Sequence, residues 1–239
     1  MKSILIPSVL ENDTLHAIDT AIKHAKGKST NIVLLTLTDT PDACSAAEYL
    51  RKTRKPLTAA QSELLDECAG RVAASANCTL EIRHQYGLTS ALLRNLLEYL
   101  GTEMVILSPS YKAEKRKIHT YFCKLVAGCK KPILHLGNGS EQPEFNKALY
   151  IERNNAQIDI RELQQLVNKQ FDLRIVTRAS VAEEHNPGGF APFVNEAIEK
   201  NGIDLLIETR KPKAVTRRIE VTDTYGLPLL SIHEEAARV

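Results

Sequence analysis

Short apolar runs that alternate with segments of helical periodicity constrain this 239-residue chain most strongly. A continuous apolar run is typical of a strand buried on both faces, as in a parallel sheet. The first helical segment carries Leu15, Ile18, Ala21, Ile22 and Ala25 on one buried stripe. Because strand, helix and strand follow one another through short loops, the sequence predicts right-handed βαβ units and an α/β fold. The strands of the first half are predicted at 3–7, 31–37, 79–83, 104–107 and 132–136.

The second half of the chain repeats the first at a constant offset of 101 residues. Gly87 matches Gly188 and Ile118 matches Ile219, without a gap through helix, strand and loop. A match of this length favours two tandem copies of one domain.

The second copy is shorter than the first. Nine residues, Ala179–Pro187, stand where the first copy has 47, Thr40–Tyr86, so the second copy is predicted to lack one helix and the edge strand. Losing an edge strand leaves the rest of a sheet intact. We predict domains at residues 1–137 and 146–239, joined by a linker at 138–145 whose composition is rich in turn-forming residues.

The segment Ser108–Thr120 is the best candidate for a binding site. It follows the buried run Met104–Leu107, and ligands of open α/β sheets lie beyond the carboxyl ends of such strands. It is basic, and the second copy is basic at the matching place. A solvated loop and a site for an anionic ligand both fit this pattern. The basic residues are Lys112, Lys115, Arg116 and Lys117, then Arg210, Lys211, Lys213, Arg217 and Arg218.

Composition and motifs exclude several function classes. The 31 basic and 29 acidic residues nearly balance, which argues against nucleic acid or an anionic membrane as the main partner. Five cysteines without CxxC spacing, together with no signal segment and no apolar run of membrane length, predict a cytoplasmic protein with reduced thiols. His119, Cys123 and Cys129 offer too few ligands, so no metal is predicted. No hydrolase, zinc-protease or dinucleotide motif is present, so the chain is expected not to be an enzyme.

The first half resembles the universal stress protein family over nearly its whole length. The resemblance rests on SILIP, LHAIDTAIKHA, NIVLLTL, HQYGLTSALLRNLLEYLGTEMVILS and KKPILHL. It implies a five-stranded parallel sheet of order 3-2-1-4-5 with helices on both faces. The whole chain looks like a tandem universal stress protein with a reduced second copy.

The residues that hold ATP in members of that family are altered here. Those members carry an aspartate after the first strand and the pattern Gly-x2-Gly-x9-Gly-[Ser/Thr] after the fourth. This chain has Val9 at the first place, and its loop from Ser108 keeps only Thr120 from the pattern. The second copy has Glu152 after its first strand and Thr209-Arg-Lys-Pro in its loop, again without glycine. The resemblance therefore implies a degenerate nucleotide site.

Two main functional hypotheses follow. The preferred one is a non-enzymatic universal stress protein that needs no cofactor and binds proteins or a small ligand. The alternative is an ATP-binding, weakly hydrolysing member with a glycine-free basic phosphate loop. A polyanion-binding module is a third, weaker reading. The ligand-binding residues would be Ser8, Val9, Leu37, Ser108, Ser110, Lys112, Lys115 and Thr120.

Assembly is predicted from the strand edges. The fifth strands of the two copies, at 133–136 and 229–232, are expected to pair within the chain as a pseudo-dimer. If they cover each other the chain is a monomer, and if they do not, exposed apolar edges favour a homodimer.

Overall fold

The computed structural model describes residues 2–40, 57–138, 145–153, 159–171, 173–181, 187–210 and 225–236. Cys44, most of the loop predicted after the second strand, residues 139–144 of the predicted linker and the second basic cluster from Lys211 to Arg218 lie outside these ranges. The chain forms two compact units, Met1–Leu125 and Val126–Val239. The predicted domain boundaries at 137 and 146 stay a prediction.

In its described residues the first unit has four strands, with helices between them. Its elements, including the helix that ends just beyond it, are β1 (Lys2–Pro7), α1 (Asp13–Ala25), β2 (Thr30–Thr38), α2 (Ala59–Ala73), β3 (Cys78–Tyr86), α3 (Ser90–Tyr99), β4 (Thr102–Leu107), α4 (Pro109–Ala113) and α5 (Lys117–Ala127). The strands lie in the order β3-β2-β1-β4 and all pair in parallel. This order confirms the predicted α/β fold and agrees with the first four strands of the predicted order 3-2-1-4-5.

Burial explains why these runs became strands. β1, β2 and β4 carry fully buried apolar side chains on both faces, among them Leu5, Leu34 and Val105. β3 differs, because side chains such as Ile82 stay exposed along it. Thr58 begins α2 with a capping box to Gln61, and Thr89 caps α3 by accepting the N–H of Leu92.

The second unit has a mostly parallel sheet. Its elements are β5 (Ile133–His135), β6 (Lys147–Arg153), α6 (Ile160–Phe171), β7 (Arg174–Val181), α7 (Pro187–Asn201), β8 (Leu205–Arg210), β9 (Leu229–His233) and a 3-10 turn (Glu234–Ala236). The strand order is β5-β9-β8-β6-β7, and β5 is antiparallel to β9, with Leu134 opposite Leu230. In the described part of this unit β7 is the outermost strand, so no counterpart of β3 follows it there.

None of the helices in the described part of the chain combines the length and apolar content that a membrane crossing requires.

Arg210 is a buried structural residue, which corrects its interpretation as part of a basic surface cluster. It ends β8 and only 1 % of its surface is exposed. Its Nε donates to the carbonyl of Ala127 at 3.2 Å and its Nη2 to that of Cys129 at 2.8 Å. It also donates to the carbonyls of Lys131 and Ser231. The guanidinium of Arg210 therefore binds backbone carbonyls at the end of α5, just after it and at Ser231. It is not part of a solvent-exposed loop.

Substitution of Arg210 by Met is expected to lower the free energy of unfolding by about 3 kcal/mol or more, because buried carbonyls lose their donor. Arg178→Met is the matched control: Arg178 is half exposed and pairs with Glu152, so its loss should cost less than about 1 kcal/mol. Urea denaturation of the two variants measures the difference, and equal stabilities would contradict the structural role of Arg210.

Candidate functional site

The candidate site lies at the carboxyl ends of β1 and β4. These strands are parallel neighbours, with Leu5 opposite Val105, so the segments that follow them emerge side by side. β1 has β2 as its neighbour on one edge and β4 on the opposite edge. The strand order therefore reverses between β1 and β4. Ligands of open α/β sheets bind at this point.

A carboxylate of the chain itself binds the segment after β4. The backbone N–H of Ser110 donates to Oδ2 of Asp13 at 2.7 Å, and the Ser110 hydroxyl donates to Oδ1 at 2.6 Å. Asp13 is the first residue of α1, where a negative charge is favoured by the helix dipole. Both oxygens of the Asp13 carboxylate are therefore hydrogen-bonded. They occupy the N–H and hydroxyl donors of Ser110, which would otherwise be available to a bound anion.

The segment after β1 is fixed by Ser8. The Ser8 hydroxyl accepts the N–H of Leu10 at 2.8 Å and shares a 2.8 Å hydrogen bond with the hydroxyl of Thr14. Leu10 has a φ of 60°, a left-handed conformation that is uncommon for a leucine, and its side chain is buried. Val9, at the place of the family's aspartate, is half-buried between them.

Most of the predicted loop Ser108–Thr120 is helical, which corrects the sequence interpretation. Ser108 caps α4 by accepting the N–H of Tyr111 at 3.4 Å, and Pro109 occupies the first helical position, which suits proline. The hydroxyls of Ser108 and Ser110 lie 3.2 Å apart. Only residues 114–116 separate α4 from α5.

The remaining predicted site residues are distributed unevenly. Leu37 is 3 % exposed in β2, and Lys112 is half-buried on α4. Lys115 and Thr120 are exposed. The structure thus brings Ser8, Ser108 and Ser110 together around the first turn of α1, while no contact among the described residues joins Lys115 or Thr120 to them. Their role as ligand contacts stays a prediction.

The basic segment neutralises part of its own charge. The backbone N–H and the guanidinium of Arg116 each donate to the carboxylate of Glu114 at 3.0 Å. These hydrogen bonds lower the pKa of Glu114 to about 2. Lys115 and Lys117 remain exposed, so the segment keeps a net positive charge.

A buried aromatic cluster joins α4 to α5. Tyr111 and His119 are each 1 % exposed, and their rings meet edge-to-face at 5.1 Å; Tyr111 meets Phe122 in the same way at 5.7 Å. Neither ring nitrogen of His119 nor the hydroxyl of Tyr111 has a hydrogen-bond partner in the described structure. Burial, reinforced by Arg116, lowers the pKa of His119, although Glu114 and Asp39 oppose the shift.

The neighbouring Cys123 is poorly suited to metal binding. Burial raises the pKa of its thiol to about 11, so the thiolate that a metal needs is scarce at neutral pH. The described residues hold no group of three His, Cys, Asp or Glu side chains that could bind a metal ion.

The sequence interpretation missed Asp13 as a part of this site. Asp13 had a usable signal, since it is an acid in the first turn of the helix that follows β1. Ser110 was predicted as a site residue, but nothing in the sequence paired it with Asp13, because the two lie 97 positions apart.

Solved structures share this fold. A universal stress protein from Archaeoglobus fulgidus DSM 4304 aligns with a TM-score of 0.56 at 10% identity, over 97% of this chain and 98% of that one. A functionally unknown protein from Pseudomonas aeruginosa PAO1 aligns with a TM-score of 0.52 at 12% identity, over 99% of this chain and 96% of that one. No protein-family profile and no curated protein matches the sequence. The chain therefore has the universal stress protein fold.

Asp13→Ala is expected to lower the free energy of unfolding by about 1.5–3 kcal/mol, because a charge-assisted acceptor of the Ser110 N–H and hydroxyl is lost. The control is Glu11→Ala, two positions earlier and exposed, which should change stability by less than about 0.5 kcal/mol. Urea denaturation measures both, and an Asp13→Ala variant as stable as the control would contradict the structural role of the Asp13 carboxylate.

Acid is expected to destabilise the fold through His119. Because its folded-state pKa is lowered, the unfolded chain binds a proton first as the pH falls below about 6.5, and stability drops there. His24, whose pKa burial lowers to about 4, acts in the same direction and remains in the variant. His119→Phe should flatten the decline in melting temperature between pH 7 and 5, roughly the range over which free histidine titrates. Parallel curves for wild type and variant would refute this role.

Proposed function

We propose that this chain is a universal stress protein of the non-enzymatic kind, which acts in the stress response through contacts with other proteins and does not bind nucleotide in the family's manner. The fold supports membership of that functional class. The single observation that carries the loss of nucleotide binding is the carboxylate of Asp13 on the N–H and hydroxyl of Ser110.

A nucleotide would have to displace that carboxylate. The phosphates of ATP are negatively charged and need backbone N–H donors at the start of a helix. Here the donor at Ser110 already faces a fixed negative charge at hydrogen-bond distance, so a phosphate would meet repulsion and a lost hydrogen bond. The missing glycines add to this, because the side chains of Ser108 and Ser110 keep a ligand away from the backbone.

Leu37, another of the predicted ligand-binding residues, also argues against a nucleotide. Its side chain is 3 % exposed and offers almost no surface for a base to stack on. Lys112 and Lys115 are the remaining groups of the ATP-binding alternative, and Lys115 is exposed on the short connection between α4 and α5. No catalytic residue is assigned.

The test is a titration of the full chain with ATP, ADP and cyclic nucleotides by calorimetry and thermal shift. A ligand of the folded state at about 100 times its Kd would stabilise the protein by about 2.7 kcal/mol, so binding would be plainly visible. We expect no heat of binding and no change in melting temperature at millimolar nucleotide.

The paired variant Lys112→Ala, Lys115→Ala separates the two hypotheses. If the wild type is stabilised by nucleotide and this variant is not, the ATP-binding alternative is correct and our proposal is wrong. If nucleotide stabilises the wild type and the paired variant equally, the proposal is also overturned. The nucleotide would then bind at a place that does not involve Lys112 or Lys115.

A further inference from the structure

The outer edge of β3 has the features of an unprotected pairing surface. β3 is the outermost strand of the first unit in the described structure, and its nine residues follow β2 in continuous register from Cys78 to Tyr86. An edge strand presents a row of backbone N–H and C=O groups to any strand that approaches. Of the devices that usually protect such an edge, proline, lysine and a bulge are absent from 78–86, and the two charged residues of the strand, Glu81 and Arg83, have opposite signs.

The sequence of this edge is complementary to itself in one antiparallel register. A two-fold axis perpendicular to the sheet keeps each side chain on the same face in both copies. Directly opposite residues of an antiparallel pair also share a face, so the axis must pass through one residue that lies opposite its own counterpart. With Ile82 on the axis, Glu81 of each copy faces Arg83 of the other. An axis at Glu81 or at Arg83 would instead place like charges opposite each other, which is destabilising.

We propose that β3 pairs antiparallel with β3 of a second copy of this chain, with Ile82 on the two-fold axis. This interface is independent of the function proposed above and differs from the homodimer predicted through the fifth strands. It joins the first units of two chains through an edge that the chain's own strands do not cover in the described structure.

The charges at this edge are paired within the chain but stay accessible. One carboxylate oxygen of Glu81 accepts from Arg83 and the other from the side-chain amide of Asn31 at 2.9 Å, yet the side chains of Glu81 and Arg83 stay 34% and 32% exposed. A carboxylate oxygen can accept more than one hydrogen bond, so a second guanidinium can still be bound. Their mutual hydrogen bond lowers the pKa of Glu81 and raises that of Arg83, so both are charged at neutral pH. In the dimer each carboxylate lies between two guanidinium groups, which gives an alternating ring of four charges.

Apolar groups beside the edge also become covered. Ile82 is 40% exposed and would face its own counterpart, while Leu80 would face His84 on the same side. On the other side Tyr99 of α3, 77% exposed, lies under the guanidinium of Arg83 at 5.2 Å from the ring centroid. Strand pairing with these few apolar contacts forms a small interface, so we expect a weak, concentration-dependent dimer.

Charge reversal with rescue tests the register. Sedimentation velocity of the full chain over a range of concentrations should show a monomer–dimer equilibrium. Arg83→Glu should raise the dimer Kd at least about tenfold, because each copy then places Glu opposite Glu. The double variant Glu81→Arg, Arg83→Glu restores opposite charges and should return the Kd to within about threefold of wild type.

The matched control is Arg174→Glu, the same reversal on the exposed side of β7 at the edge of the second unit, which should leave the Kd unchanged. Circular dichroism establishes that each variant is folded. A wild type that stays monomeric, or a folded double variant that fails to recover the dimer, would overturn the proposal.

A cysteine on the axis gives an independent readout. Directly opposite residues of an antiparallel pair have Cα atoms about 4.5–5.5 Å apart, within the range of a disulfide. Ile82→Cys should therefore form a disulfide-linked dimer on mild oxidation, whereas wild type should not. Thr79→Cys is the control, since its two copies would lie about 20 Å apart along the strands. Equal cross-linking of both variants, or none at Ile82→Cys, would refute the register.

Discussion

Burial of β1 and β4 on both faces is the constraint from which the rest of the first unit follows. Strands that are apolar on both sides leave polar chemistry only to the segments beyond their ends, and two such ends open side by side where the strand order reverses. The chain fills that position with its own groups. Asp13 supplies an internal anion to Ser110, so the polar donors are satisfied without a ligand.

The second unit satisfies a corresponding position in a different way. Arg210, which the predicted repeat aligns with Pro109, is a buried cation at the end of β8 that binds backbone carbonyls around Ala127, Cys129 and Lys131. In the first unit a carboxylate satisfies donors, and in the second a guanidinium satisfies acceptors. The two halves therefore use opposite charges for the same purpose, which is to complete hydrogen bonding at a strand end without a bound molecule.

The fold could be predicted from the sequence because it depends on local signals. Apolar runs, helical periodicity and caps such as Thr58 and Thr89 are each visible within a few residues, and the strand order followed from the family resemblance. For the candidate site, only its position at the strand ends could be predicted from the sequence. The partner of Asp13 lies 97 residues away, and three of the four acceptors of Arg210 lie 79 to 83 residues away, so no local pattern pointed to them. A basic residue in a basic stretch gives no sign in the sequence that it ends a buried strand.

The bond between Asp13 and Ser110 also limits how such a chain can evolve. Glycines placed after β4 would open the backbone to phosphate, but the carboxylate would still occupy its donor. Removing the carboxylate first would leave that donor unsatisfied while the side chains around it still excluded a ligand. Each step alone lowers stability and gains no affinity, so binding a phosphate at this place would require both changes together. The hydrogen bonds between Asp13 and Ser110 therefore resist replacement by any single substitution.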